Sequence, residues 1–243
     1  MDISIDDLSL ALKNCVNKDN IIRHNCENYL RKVMFFEKFG PSLLKISSDE
    51  QYEQQVRLQA AIQLKNYVIN FWKFGDNKQI NESLNYDTED LIIIILESDK
   101  SIIRKNILDL TTKCTNKQIM KLYNQVIQKI LLYEFRNEIW TDFVPTVHNL
   151  LMTEKENCVL SGVSAILQIS KIFEYESSKY KEKYTEALKS FFPTLNKIMN
   201  QVLQNFKINE AALIAKKILD VYLLSIKVSK LYSNFIYNFY VKL

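Results

Sequence analysis

EQYEQQVRLQAAIQLKNYVINFW, residues 50–72, places Val56, Ala60, Leu64, Val68 and Phe71 at steps of three and four. That is the period of one face of an α-helix. A second row, Gln59, Gln63, Asn66 and Asn70, is polar but uncharged. A helix of this kind buries one side and offers hydrogen-bonding groups on the other. Ala60 and Ala61 let a neighbouring helix come close, and Trp72 supplies a large apolar anchor. Ser48 and Gln51 have the spacing of a capping box, so the helix is expected to begin there and to stop at Gly75.

Working outward, the composition points the same way. The chain of 243 residues has three Gly and three Pro, where average usage gives roughly 17 and 12. A sandwich, barrel or Rossmann-type sheet needs many glycine-bearing turns, so the expected class is all-α. An apolar share of 47% with 25% charge excludes a wholly disordered chain. Net charge is +4, with seven acids and one base across Asp76–Asp99 and ten lysines against four acids from Lys181 to Leu243. The basic end reads first as a solvated helix face. Cys15, Cys26, Cys114 and Cys158 are scattered, and the start MDISIDDLSL is acidic, both fitting a reducing compartment and no signal peptide. The longest apolar run, Leu91–Leu96, falls far short of the roughly 20 residues that span a bilayer.

In chain order, helices are expected over residues 4–14, from Ile21 to about Phe39 with Gly40-Pro41 as the stop, and over a short stretch Pro41–Ile46 before the central helix. Residues 76–99 read as an acidic insertion with a short helix near 88–97, although Leu91–Leu96 is equally compatible with a strand-like segment. Helical pattern resumes at 100–112. Capping boxes at Thr115/Gln118 and Thr153/Glu156 predict helices 116–133 and 154–174, with 137–152 between them and Pro145 as a kink point. Gly162 inside a helix costs about 1 kcal/mol against alanine, so a close crossing is expected there. Helix 178–205 is expected to be interrupted at Pro193, with 208–227 following.

About ten helices in hairpins, at a period near 40 residues, are the mark of a HEAT or armadillo α-solenoid: a right-handed superhelix of antiparallel helix pairs. The expected organisation is repeats 1–2 over 1–75, the connector 76–99, repeat 3 over 100–136, repeat 4 over 137–176, repeat 5 over 177–228 and the start of a sixth at 229–243. A finished solenoid ends in a polar capping repeat. The aromatic, apolar stretch Leu231–Leu243 has none, so continuation into a longer solenoid is expected.

Val56-Arg57, Ala60-Ala61 and Leu64-Lys65-Asn66 with an aromatic soon after resemble the second-repeat helix of the importin-β (karyopherin) N-terminal domain. Ile103-Arg104-Lys105-Asn106-Ile107-Leu108 resembles the IREN-type opening of the third repeat in the importin seven/eight branch. Asn124–Leu131 with Tyr133-Glu134-Phe135 and Trp140, Ile172–Tyr175 and Phe191–Leu195 are similar to later segments of that branch in the same order. Two departures stand out: Phe135 replaces a usual proline, and 76–99 is longer than the matching connector.

The resemblance implies a nuclear transport receptor whose first repeats bind the GTPase Ran in its GTP form through their second helices. Protein cargo and nucleoporins would bind mostly beyond this segment, and the receptor would shuttle between cytoplasm and nucleus. Carried over by position, Lys65 and Asn66 are the implied Ran contacts. Gln63 and Asn70 follow from sharing their face, Lys121, Gln125 and Gln128 from a similar row in repeat 3, and Asn28 and Lys32 from repeat 1. From the residues alone, the row Gln59, Gln63, Asn66 and Asn70 reads equally as a binding surface and as an ordinary solvated helix face. Arg57 sits among apolar neighbours and reads as a structural link between repeats.

Catalysis needs a convergent set of reactive groups. His24 and His148 lie on different helices, and His24 and Cys26 point to different sides of theirs. No enzyme, metal site or cofactor is expected. Two rivals remain: a HEAT scaffold independent of Ran, and a nucleic-acid-binding solenoid using the basic end with Tyr232, Tyr237 and Tyr240 near Lys230.

Overall fold

The computed structural model describes residues 3–72, 95–153, 155–175, 178–204 and 211–228. Among these residues there are ten helices and no strand, in the all-α, HEAT-repeat-like arrangement of antiparallel pairs. The chain divides into two compact units, Met1–Tyr133 and Glu134–Leu243.

The first unit begins with α1 (Ile5–Asn14), where Ser4 Oγ accepts the Asp7 N–H at 3.3 Å. In α2 (Asn20–Val33), Asp19 Oδ1 accepts from Ile21 N–H at 2.7 Å. Each cap satisfies a donor left unpaired in the first turn. Asp6 and Asp7 open α1, while Arg31 and Lys32 close α2, matching the sign of each helix end. Next come α3 (Phe39–Ser48) and α4 (Gln54–Phe71), followed by α5 (Glu97–Lys113) and α6 (Lys117–Glu134). Helix α1 packs on α2 and α4, and α3 on α4 and α5. Leu8, Leu12, Leu43, Ile46, Leu64 and Val68 are completely buried. Ala60 and Ala61 are fully buried as well, as close packing with α3 requires.

Several expected boundaries move. Helix α2 ends at Val33, and the break before α3 is made by Lys38 at φ 65° rather than by Gly40-Pro41. The left-handed residue is held because its N–H donates to Asp99 Oδ2 at 2.8 Å. Gly40 and Pro41 lie inside the first turn of α3, which is ten residues long and not confined to Pro41–Ile46. Gly40 is there for space: a Cβ would stand 2.9 Å from Ile103 Cδ1 and 3.1 Å from Tyr67 Cε1. The Ser48/Gln51 box is not used either. Ser48 Oγ donates back to the Lys45 carbonyl, Asp49 Oδ1 accepts the Gln51 N–H, and α4 begins only at Gln54. Asn116, not Thr115, caps α6, its Oδ1 accepting from Gln118 at 2.9 Å and Ile119 at 3.1 Å. The expected stop at Gly75 and nearly all of the 76–99 insertion lie outside the described residues, and α5 starts at Glu97.

The second unit contains α7 (Phe143–Leu151), α8 (Glu156–Tyr175), α9 (Ser178–Gln204) and α10 (Ala211–Val228). Helix α8 packs on α7, α9 and α10, and every residue from Ser161 to Ser170 is buried. Gly162 permits the expected close crossing, since a Cβ would meet Leu151 Cδ2 at 2.9 Å. Pro145 falls in the first turn of α7, where a missing N–H is tolerated, so it starts a helix instead of kinking one. Thr153 Oγ1 donates back to the Leu150 carbonyl and does not cap α8. Pro193 sits within one continuous 27-residue helix, so the expected interruption is absent. Phe135, the departure from the family pattern, packs its ring 4.9 Å from Tyr184. The expected start of a sixth repeat lies outside the described residues.

Candidate protein-binding groove

Three residues of the polar row of α4 border a groove. Gln63, Asn66 and Asn70 form one wall of a groove of about 320 Å³ whose other wall is α2. Leu30 of α2, Met34 just after its end, Phe39 of α3, and Tyr67 and Phe71 of α4 make an apolar lining. Phe39 meets Tyr67 edge to face, centroids 5.1 Å apart at 80°, and Phe71 lies 5.7 Å from Tyr67. Burial pushes the Tyr67 phenol far above its usual range, and the neighbouring Asp99 carboxylate adds to the shift. The phenol therefore stays neutral.

The two walls differ in chemistry. Asn66 and Asn70 are exposed and Gln63 is half-buried. Each amide offers both donors and an acceptor without net charge. Opposite them stand half-buried Glu27 and exposed Arg31. Arg31 contributes a planar fork of donors suited to carboxylates and carbonyls. An apolar floor with a mixed polar rim is the build of a protein interface, where buried apolar anchors supply affinity and the rim supplies orientation.

Of the expected contacts, the groove gathers Gln63, Asn66 and Asn70. Lys65 is half-buried on α4 and is not part of the lining, and Asn28 and Lys32 are displaced from it by one residue each. Glu27 and Arg31 take their place. A one-residue step turns a helix by about 100°, and the pair at i, i+4 beside buried Leu30 was the available signal. On α6, exposed Lys121 and half-buried Gln125 and Gln128 share a face at steps of four and three but stand outside this groove.

Arg57 has the structural surroundings expected of it. Its Nε donates to the Ser47 carbonyl at 3.3 Å, and a guanidinium nitrogen lies 4.0 Å from Glu50. Its charge also lowers the Tyr123 and Cys114 pKa values, although burial raises both overall. The Ser47 and Tyr123 hydroxyls are 2.8 Å apart and buried, joining α3 to α6.

Elsewhere, His148 lies 3.2 Å from Ser190 Oγ, with its ring 4.5 Å from that of Phe191, and burial lowers its pKa. Among the described residues no three His, Cys, Asp or Glu side chains are grouped to hold a metal. Lys183, in the basic end, pairs with Glu138 at 2.6 Å. Tyr232, Tyr237 and Tyr240 lie outside the described residues. Helix α8 is long and apolar enough to cross a membrane by length and composition, but 67% of that window is buried within the fold.

The family description that matches residues 26–113 is the importin-beta N-terminal domain. Importin-8 of Danio rerio is 26% identical over 212 residues, which are 87% of this chain and 20% of the relative. The probable importin-7 homolog of Dictyostelium discoideum is 24% identical over 224 residues, 91% of this chain and 19% of that protein. The chain thus spans about a fifth of the length of these relatives. Among solved structures, the exportin Cse1 in its cargo-free, cytoplasmic state superimposes with a TM-score of 0.70 at 17% identity, covering 92% of this chain and 22% of that one. Kap95p, whose structure shows it switching the loops of RanGDP to the GTP-bound conformation, gives a TM-score of 0.62 at 20% identity over 93% of this chain and 25% of that one. At such identities the structures speak for the fold.

Proposed function

From the importin-β (karyopherin) N-terminal domain that this chain carries, most similar to importin-7/8-like proteins, we propose that it forms the Ran-binding end of a nuclear transport receptor. Proteins of this family are transport receptors, not enzymes, and they shuttle between cytoplasm and nucleus. In this reading the second helices of repeats 1–3, namely α2, α4 and α6, face Ran in its GTP form. The observation that supports it is the α2–α4 groove, where Asn66, carried over from the family motif, and Gln63 and Asn70, which share its face, stand over an apolar floor. Gln63, Asn66 and Asn70 are the principal contacts, with Arg31 and Glu27 opposite. Lys121, Gln125 and Gln128 extend the surface along α6, and Lys65 flanks it. Protein cargo and nucleoporins bind further along the receptor. Ran and cargo then oppose each other through a coupling that is necessarily reciprocal.

The test is a titration of the chain against Ran loaded with GTP and with GDP at about 0.15 M salt, where the Debye length is about 8 Å and long-range charge attraction is screened. Tighter binding of the GTP form is expected. Equal or absent binding in a folded sample would favour a scaffold independent of Ran. A steep fall of nucleic-acid binding with salt would instead favour phosphate contacts.

A further inference from the structure

Asp99 stands in the first turn of α5, where an acid suits the helix dipole, but its burial is unusual. It is 3% exposed, although carboxylates are almost never fully buried without a partner. Its Oδ2 accepts the backbone N–H of Lys38 at 2.8 Å, across 61 residues of sequence. Lys38 is the left-handed residue that reverses the chain between α2 and α3. The next residue, Phe39, is part of the groove lining and touches Tyr67 edge to face. One turn on from Asp99, Ile103 occupies the space against Gly40 that a side chain would fill. Helix α5 therefore holds the start of α3 at two points, a charged hydrogen bond and a close packing contact.

We infer that Asp99 is a positioning residue for the α2–α4 groove: its carboxylate fixes Lys38 in the left-handed turn, and that turn sets where Phe39 lies between the two walls. Asp99 does not itself line the groove. It acts from α5 on a surface made by α2, α3 and α4, so the shape of that surface depends on the seating of the helix that follows. A left-handed lysine is strained, and a hydrogen bond to a charged acceptor is among the stronger kinds. The carboxylate thus stabilises a backbone conformation that Lys38 would otherwise leave. The effect on binding rests on the Ran reading; the effect on groove geometry does not.

The chain has five methionines, and Met34 lines the groove, so its methyl resonance, assigned with Met34→Leu, reports groove shape without any partner. In Asp99→Ala the Met34 signal should shift while that of Met199, in the other unit, stays. In Asp99→Asn, whose side-chain oxygen still accepts from Lys38, Met34 should remain at the wild-type position. Affinity for GTP-loaded Ran should fall at least about fivefold in the alanine variant, within the range of a typical intramolecular hydrogen bond, and stay within about twofold in the asparagine one. An unmoved Met34 in folded Asp99→Ala, or a displaced one in Asp99→Asn, overturns the inference. Unchanged Ran affinity in Asp99→Ala overturns it too, provided the wild-type chain binds. If the wild-type chain does not bind Ran, the functional reading fails and the Met34 comparison still decides the positioning role. Should Asp99→Ala not fold, Asp99→Glu retains the charge on a longer arm that misplaces the oxygens, and it is expected to move Met34 in the same way.

Discussion

Gly40→Ala tests the packing at the centre of the first unit. The added Cβ would stand 2.9 Å from Ile103 Cδ1, 3.1 Å from Tyr67 Cε1 and 3.4 Å from Tyr67 Cδ1. The Ile103 methyl ends a flexible side chain, but Ile103 is completely buried and Tyr67 is 4% exposed, so neither has open space to enter. Overpacking of this kind costs about 1–3 kcal/mol. Against it stands the helix preference of alanine over glycine, at most about 1 kcal/mol and smaller in a first turn. The net expectation is a loss of about 1–2 kcal/mol, measured by urea unfolding followed by circular dichroism. Ile103→Val removes the nearest atom at a cost of its own of about 0.5–1.5 kcal/mol. Combined, the two changes should cost less than their sum by about 1 kcal/mol in a double-mutant cycle. A neutral or stabilising Gly40→Ala, or strict additivity with Ile103→Val, would refute the packing account and return Gly40 to the role of a turn residue.

Three further outcomes follow from the groove and its supports. Asn66→Ala with Asn70→Ala should weaken GTP-loaded Ran binding at least about tenfold while the urea midpoint stays put, because both side chains are exposed and exposed substitutions usually stay within about 0.5 kcal/mol; a shifted midpoint would make them structural. Arg57→Ala should lower stability by about 1–3 kcal/mol, since it removes a charged donor from the Ser47 carbonyl, and Ran binding should weaken only in proportion to the folded fraction lost. The third concerns pH. Burial, helped by Glu37, raises the Asp99 pKa above its ordinary 3.8, more than the Lys38 N–H lowers it. For a carboxyl raised in the folded state, the favourable contribution is fully present below pH 3.8 and is lost as pH rises through the higher folded value. Asp99→Asn should therefore gain stability over the wild type at neutral pH, with the gain shrinking on acidification across that window. A constant difference between the two unfolding curves would contradict the shift.

Helix existence was legible because apolar spacing is a property of each segment by itself. The face of α4 was legible for the same reason. Helix ends were less so. Thr115 and Asn116 are both good caps, and only the backbone geometry selects Asn116. Ser48 and Thr153 each have box spacing, yet their hydroxyls turn back to the preceding helix. Lys38 carries no sequence mark of a left-handed residue, since the carboxylate that holds it lies 61 positions away. The same limit applies to the groove. One wall follows from the periodicity of α4, but the choice of Glu27 and Arg31 over Asn28 and Lys32 depends on how α2 is rotated against it. That rotation is set by packing between segments.

Helix α8 has another consequence, one that concerns synthesis. Its run from Ser161 to Ser170 is buried on all sides, partly by α10, whose last residue follows Tyr175 by 53 positions. At ~5–20 residues per second, a ribosome leaves that run without its cover for roughly 3–10 s. During that interval α8 presents the length and apolarity of a membrane span to whatever surveys nascent chains. Until α10 is made, α7 is the earlier helix on which α8 can pack. Slowing translation between residues 176 and 228 should increase its capture by chaperones or membranes, while the same slowing before residue 156 should not.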